Sequence, residues 1–179
     1  MSGSIPLLNH EQILLTIKRI AREVIENHDF SNDSVLIGLQ PRGVLFGQKI
    51  RDEIQAITGK NVQYGELDIT FYRDDFRTRD MPLEPSSTKI DFSIQDKKVV
   101  MVDDVLYTGR SVRAALDALL DFGRPSQVEF MVLVDRRFSR HLPIQADYVG
   151  KSVDSIESER VSVNWTEKDF QVNLYTPKV

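Results

Sequence analysis

The chain has 179 residues, no cysteine and a formal net charge of −4. That length suits one domain with a core large enough to hold without staples. Lack of cysteine removes disulfides, thiolate catalysis and cysteine zinc sites and fits a reducing compartment. The acidic balance argues against indiscriminate nucleic-acid binding while leaving room for a local basic patch.

No basic-then-apolar leader opens the chain, and no run approaches the roughly 18 apolar residues of a membrane span, so a soluble cytoplasmic chain is expected. Residues 10–27 carry Ile13, Ile17, Ile20, Val24 and Ile25 at helical spacing, with Asn9 available as N-cap. Residues 35–39 read as a short buried strand. Gln40-Pro41-Arg42-Gly43 turns it into a helix with Gly47, Ile50, Ile54 and Ile57 on one face, closed by Gly59. Residues 62–71 read as a strand. Residues 72–89 are polar and charged with two prolines and no internal periodicity, the mark of a lid or of a disordered segment.

Residues 99–111, VVMVDDVLYTGRS, organise the rest. Four successive apolar residues leave no polar side, so Val99 to Val102 predict a strand buried on both faces, ended by Asp103 and Asp104. A helix follows over 110–122, with Val112, Ala115, Leu116, Leu119 and Leu120 inward. Further strands are expected over 128–134 and 146–150, then a small antiparallel unit in the last thirty residues. Strands alternating with helices give a parallel sheet with its ligand at the carboxyl ends of the strands.

Three such ends carry unusual chemistry: Pro41-Arg42-Gly43, Asp103 to Ser111, and Asp135-Arg136-Arg137. A strand, a tight Thr108-Gly109 turn and a helix start make an anion cradle, because unpaired amides and the helix dipole point at the ligand. The acids just upstream either cap the helix or take hydroxyls or a metal. A P-loop fails at two fixed positions, because Asp104 stands where its first glycine belongs and Arg110 where its lysine belongs. Arg42 beside Gly43 suits a second anion or an ordinary turn. The acids of 68–75 serve a metal or merely solvate a lid base. Arg73, Arg77, Arg79 and Lys89 close over pyrophosphate or form a charged loop. The three histidines lack ligand spacing for zinc, and no G-x-S-x-G elbow exists.

The string at 99–111 resembles the phosphoribosyl-pyrophosphate (PRPP) motif of type I phosphoribosyltransferases. Together with DITFYRDD at 68–75, Gly123-Arg124-Pro125, LVDR at 133–136 and LPIQADYVGK at 142–151, it resembles the branch of that family that joins pyrimidine-operon regulation to uracil phosphoribosyltransfer. The resemblance spans almost the whole chain. It implies a single phosphoribosyltransferase domain over 1–179, an α/β fold whose central parallel sheet is flanked by helices, with a lid at 72–89 and a small hood mainly over 135–179. It implies conversion of uracil and PRPP to UMP and pyrophosphate.

The resemblance carries roles onto matching positions. Asp103, Asp104 and Arg42 are the catalytic candidates. Pro41, Arg42, Asp103, Asp104, Val105, Leu106, Tyr107, Thr108, Gly109, Arg110 and Ser111 hold PRPP, the acids at the ribose hydroxyls and 107–111 at the 5′-phosphate. The family usually has threonine where Pro41 stands, and Asp-Arg-Gly-His where this chain has Asp135-Arg136-Arg137-Phe138. Asp135, Arg136 and Val161 fall at the uracil. Mg2+ arrives through PRPP without a dedicated protein cage, Asp103 and Asp104 being its candidate protein ligands. Purine-specific relatives place an acid at the Tyr107 position, which favours a pyrimidine here. Members that bind pyrimidine-operon leader RNA use a basic face, here matched by Lys18, Arg22, Arg137 and Arg140, and a homodimer or larger homo-oligomer is implied. Two alternatives stay open: a non-catalytic nucleotide sensor that binds RNA, and a phosphoribosyltransferase for another base.

Overall fold

The computed structural model describes residues 3–74, 87–166 and 169–176. Its centre is β4 (Lys98–Leu106), where Val99 to Val102 are at most 1% exposed. A strand without a polar side needs neighbours on both edges and cover on both faces. β2 (Ser34–Leu39) and β5 (Gln127–Arg137) pair with it in parallel, Val35 opposite Val99 and Met101 opposite Phe130. β3 (Tyr64–Leu67) and β6 (Tyr148–Asp154) complete the sheet in the order β3-β2-β4-β5-β6.

One face is covered by α1 (His10–Asn27) and α2 (Gly43–Thr58), whose Ile13, Ile17, Phe46 and Ile50 join Val100 and Val102 in one core. The other face takes α3 (Arg110–Leu119), whose Val112, Ala115 and Ala118 meet Val99 and Met101. α1 begins as its sequence indicates: Asn9 Oδ1 accepts from the Gln12 amide at 2.9 Å, and Gln12 Oε1 from the Asn9 amide at 3.0 Å. This reciprocal cap satisfies two otherwise orphaned donors. α2 ends at Gly59, held at φ +67, as a left-handed C-cap requires.

Several boundaries differ from the sequence expectation. The strand expected over 62–71 stops at Leu67, because Asp68 Oδ1 accepts from the Thr70 amide and hydroxyl at 2.9 and 2.6 Å and folds 70–72 into a 3-10 turn. β4 does not end at its acids but runs to Leu106, and β5 runs on through Asp135 to Arg137. Parallel pairing of Leu106 with Asp135 and of Arg137 with Asp154 carries these polar residues as strand. Helix α3 gives way to a 3-10 turn at Leu120, and its buried stripe leaves Leu116 and Leu120 exposed and takes Ala114 and Ala118 instead. Ile57 is likewise on the outside of α2.

A second, antiparallel sheet has the order β1-β8-β7, from β1 (Gly3–Leu8), β7 (Arg160–Trp165) and β8 (Phe170–Thr176). Its first strand comes from the N-terminus, which the sequence reading left unassigned. Among the described residues no helix is long and apolar enough to cross a membrane.

Candidate active site

The carboxyl ends of β2, β4 and β5 open into two adjoining cavities, of about 320 and 620 Å3, that share Arg73, Asp103, Val105, Tyr107 and Ser111. The smaller is the turn itself, 107–111, with His141 at its rim. Gly109 takes φ +91, which favours glycine, and a Cβ there would press on Ile144 at 3.2 Å. The loop after β5 braces this turn from outside. The amides of His141 and Leu142 donate to the Thr108 carbonyl at 3.0 and 3.3 Å, and Arg140 Nη1 donates to the carbonyls of Tyr107 and Arg136. The cradle is rigid, with the N-terminal amides of α3 beside it.

Asp103 and Asp104 lie in the larger cavity, with Pro41 and Arg42 on one side and Arg136 and 157–161 on the other. Asp103 Oδ1 accepts from the Asp104 amide at 2.8 Å. Burial, then the neighbouring Asp104 charge, pushes the Asp103 carboxyl well above its ordinary value. Burial also raises Asp104, against the pull of Arg42. Two dehydrated carboxylates facing open space fit hydroxyl donors or a hard cation, because either replaces the water they lack. Gly43 serves this geometry differently from expectation. A Cβ there would sit 2.2 Å from the Val102 carbonyl oxygen, so the glycine lets α2 press its start against β4 and so sets Arg42 over the acids.

Of the residues assigned to the base, Arg136 and Val161 line the larger cavity, whereas Asp135 turns away to an ion pair with Arg140. Arg110 lines the smaller cavity while pairing with Asp74, its Nη2 at 2.8 Å. Asp74 also holds Arg113 at 3.1 Å. Most of the expected lid, including Arg77 and Arg79, lies outside the described residues. At its start Arg73 donates to Ser111 Oγ at 3.4 Å. At its end Lys89 is drawn to Glu66 at 3.3 Å rather than to the cavity.

The basic residues assigned to RNA part company. Lys18 and Arg22 are exposed on α1, Arg22 donating to the Lys18 carbonyl at 3.3 Å. Arg137 is exposed and pairs with Asp154 at 2.6 Å. Arg140 is committed to carbonyls and to Asp135, which corrects its place on a surface patch. Sequence reading missed Ile69, His141 and Glu157 to Arg160 as wall residues. The charged Glu-Ser-Glu-Arg run just before the Val161-Ser162-Val163 alternation was the available signal for the last group.

A five-stranded parallel sheet with acids and an anion turn at its carboxyl edge defines a class, and the comparisons agree. The family model described as phosphoribosyl transferase domain matches residues 6–170, and the chain belongs to that family. Within it, the chain is 45% identical over 173 residues to the bifunctional protein PyrR of Bacillus cereus, covering 94% of this chain and 96% of that one. The PyrR of Bacillus mycoides matches equally, at 45% over the same shares. Among solved structures, a hypoxanthine-guanine phosphoribosyltransferase of Bacillus anthracis has a TM-score of 0.65 at 20% identity, covering 83% of this chain and 82% of its own. A hypoxanthine phosphoribosyltransferase of Staphylococcus aureus has 0.66 at 19%, covering 85% and 79%. At such identities these structures speak for the fold alone.

Proposed function

We propose that the protein is a uracil phosphoribosyltransferase that forms UMP and pyrophosphate from uracil and PRPP. The observation that carries this is the acid pair Asp103-Asp104 standing beside the phosphate turn 107–111, in a chain related over 94% of its length to PyrR. A base nitrogen attacks C1′ of the ribose as the C1′–oxygen bond to pyrophosphate breaks, so positive charge grows on the ribose and negative charge on the leaving group. This chain's residues contribute position and charge rather than covalent chemistry. Turn 107–111 anchors the 5′-phosphate, Asp103 and Asp104 accept from the ribose hydroxyls, and their charge stabilises the developing ribose cation. Arg42 faces the departing pyrophosphate. A bound magnesium would supply positive charge to offset the negative charge growing on pyrophosphate. Asp103 and Asp104 are the protein groups placed to assist in holding it, since among the described residues no group of three or more His, Cys, Asp or Glu forms a cage. A tyrosine at 107, where purine enzymes of this motif have an acid, supports the pyrimidine.

The test is turnover by purified protein. Uracil with PRPP should give UMP only when a divalent cation is present, with hypoxanthine, guanine and orotate poor substrates. Robust nucleotide formation from hypoxanthine with uracil inert overturns the assignment.

A second activity, recognition of pyrimidine-operon leader RNA, rests on the bifunctional relatives and on the exposed Lys18 and Arg22 four residues apart on one helix face. Lys18→Ala with Arg22→Ala should weaken RNA binding and flatten its log-log salt dependence by up to roughly 0.7 per lost phosphate contact, leaving UMP synthesis intact. Gel-shift titration showing no preference for leader over random RNA leaves only the enzyme.

A further inference from the structure

Arg136 is 5% exposed, at the end of β5 and against the larger cavity, and its Nε and Nη2 are engaged with protein. Nε donates to Ser155 Oγ at 2.9 Å, and Nη2 donates to the carbonyls of Ile156 and Glu159 at 3.1 and 2.9 Å. The same guanidinium lies over the Tyr107 ring, its Cζ 4.0 Å from the ring centre. One rigid group therefore ties together two parts of the wall: loop 155–159, and the turn that begins at Tyr107.

That loop is closed on itself. The Ile156 amide donates to Glu159 Oε2 at 2.9 Å, and the Glu159 amide donates to the Ile156 carbonyl at 3.1 Å. A loop locked in this way moves as a unit, so its height over the cavity depends on what it is fastened to. On the β8 side Thr176 Oγ1 donates to Glu159 Oε1 at 3.2 Å; on the cavity side the fastening is Arg136. No other side chain both stacks on an aromatic face and donates in its own plane from a fixed fork; lysine offers a mobile point charge instead.

We propose that Arg136 is a positioning residue that fixes the gap between loop 155–159 and Tyr107, and that the width of this gap admits a single-ring base and rejects a fused-ring one. The inference rests on the uracil reading above and refines it. It adds to the place of Arg136 in the cavity wall a control of the space the ring enters. Loosening the fastening should widen the gap, so discrimination falls while the phosphate turn, held separately by Arg140 and the amides of His141 and Leu142, keeps its grip on PRPP.

Arg136→Lys and Ser155→Ala in the full chain test this, by steady-state kinetics and by calorimetric titration with UMP and IMP. Arg136→Lys should raise the KM for uracil by about tenfold or more while the KM for PRPP stays within about threefold. The ratio of IMP to UMP dissociation constants should fall by about tenfold, the order of discrimination that pocket shape supplies. Ser155→Ala, which loses one of the three hydrogen bonds, should move the same ratio in the same direction by about threefold. It decides the matter alone if the lysine variant does not fold. Equal losses for uracil and PRPP, or an unchanged IMP to UMP ratio in both variants, overturns the inference. A wild-type protein that binds UMP over IMP but makes none overturns the proposed function instead.

Discussion

The two ends of the sheet each half-bury an acid, and they treat it in opposite ways. At the amino end His28, 6% exposed, sits between Ser34 and Glu129. Glu129 Oε2 lies 2.7 Å from His28 Nε2 and accepts from the Tyr148 hydroxyl at 2.7 Å. An ionised carboxylate only accepts, so the His28 proton on that side resides on Nε2. Burial raises the Glu129 carboxyl, but the hydrogen bonds from His28 and Tyr148 outweigh it and hold the group below its ordinary value. At the carboxyl end burial acts on Asp103 and Asp104 adds repulsion; one backbone amide and the Arg42 charge pull the other way too weakly, and the carboxyl rises. Desolvation has the same sign in both places. What differs is that the fold supplies donors at one end and leaves a cavity at the other, so the missing donors must come from a ligand.

The largest effects belong to the open end. Asp103→Asn and Asp104→Asn should each lower kcat/KM for PRPP by roughly 10- to 100-fold, the loss of a charge-assisted hydrogen bond worth about 1.5–3 kcal/mol. Thermal midpoints should be held or raised, because a carboxyl raised in the native state costs stability when ionised. Wild-type kinetics in both variants makes the acids structural. The same raised values give ligand binding a proton balance. PRPP hydroxyls favour the ionised pair, so binding with magnesium should release protons and should weaken as pH falls toward the ordinary aspartate value of 3.8. Calorimetry in two buffers of different ionisation enthalpy reads this, and proton uptake contradicts it.

Closing the comparison from the other side, Glu129→Ala strands the buried His28 N–H and Tyr148 O–H. It should cost about 1–3 kcal/mol of stability and leave the KM values for uracil and PRPP unchanged. Glu129 is lowered in the native state, so its contribution is complete above the ordinary glutamate value of 4.5 and fades as pH falls through the depressed one. The difference between wild type and variant should therefore shrink in acid. A difference that grows in acid reverses the assignment of the network.

These two ends were unequally legible in the sequence. The open end announced itself: four apolar residues, two acids and a Thr-Gly turn form one local string, and local strings are what periodicity and turn chemistry detect. The closed end joins His28, Ser34, Glu129 and Tyr148 across more than a hundred positions, so no window of sequence contains it. The same holds for β1, which pairs Ile5 with Leu174 and has almost no apolar alternation of its own. The partners of Arg136 and Arg140 were illegible for a related reason. Arginines are mostly exposed, but these two are spent largely on backbone carbonyls, which every residue carries and no sequence pattern marks. Polar strand ends at Asp103 to Leu106 and Asp135 to Arg137 were lost because ladder pairing, not side-chain pattern, makes them strand.

The smallest change separates the two ends most cleanly. Tyr148→Phe removes a single donor from Glu129 and keeps the ring that packs near His28, 6.3 Å between centres. One net hydrogen bond is worth about 0.5–1.5 kcal/mol, so the loss of stability should fall in that range, below that of Glu129→Ala. His28 remains as a donor, so the Glu129 carboxyl should rise only part of the way back and the acid limb of the stability profile should begin at higher pH than in wild type. Asp103→Asn should do the reverse at the far end, easing a repulsion instead of deleting a donor. Combined in one chain, the two substitutions share no partner, so their stability changes should add within about 0.5 kcal/mol. Chemical denaturation of the two single variants and the double variant measures this directly. A larger coupling means that the ends communicate through β4 and β5, and that the acid pair is tuned by more than its own cavity.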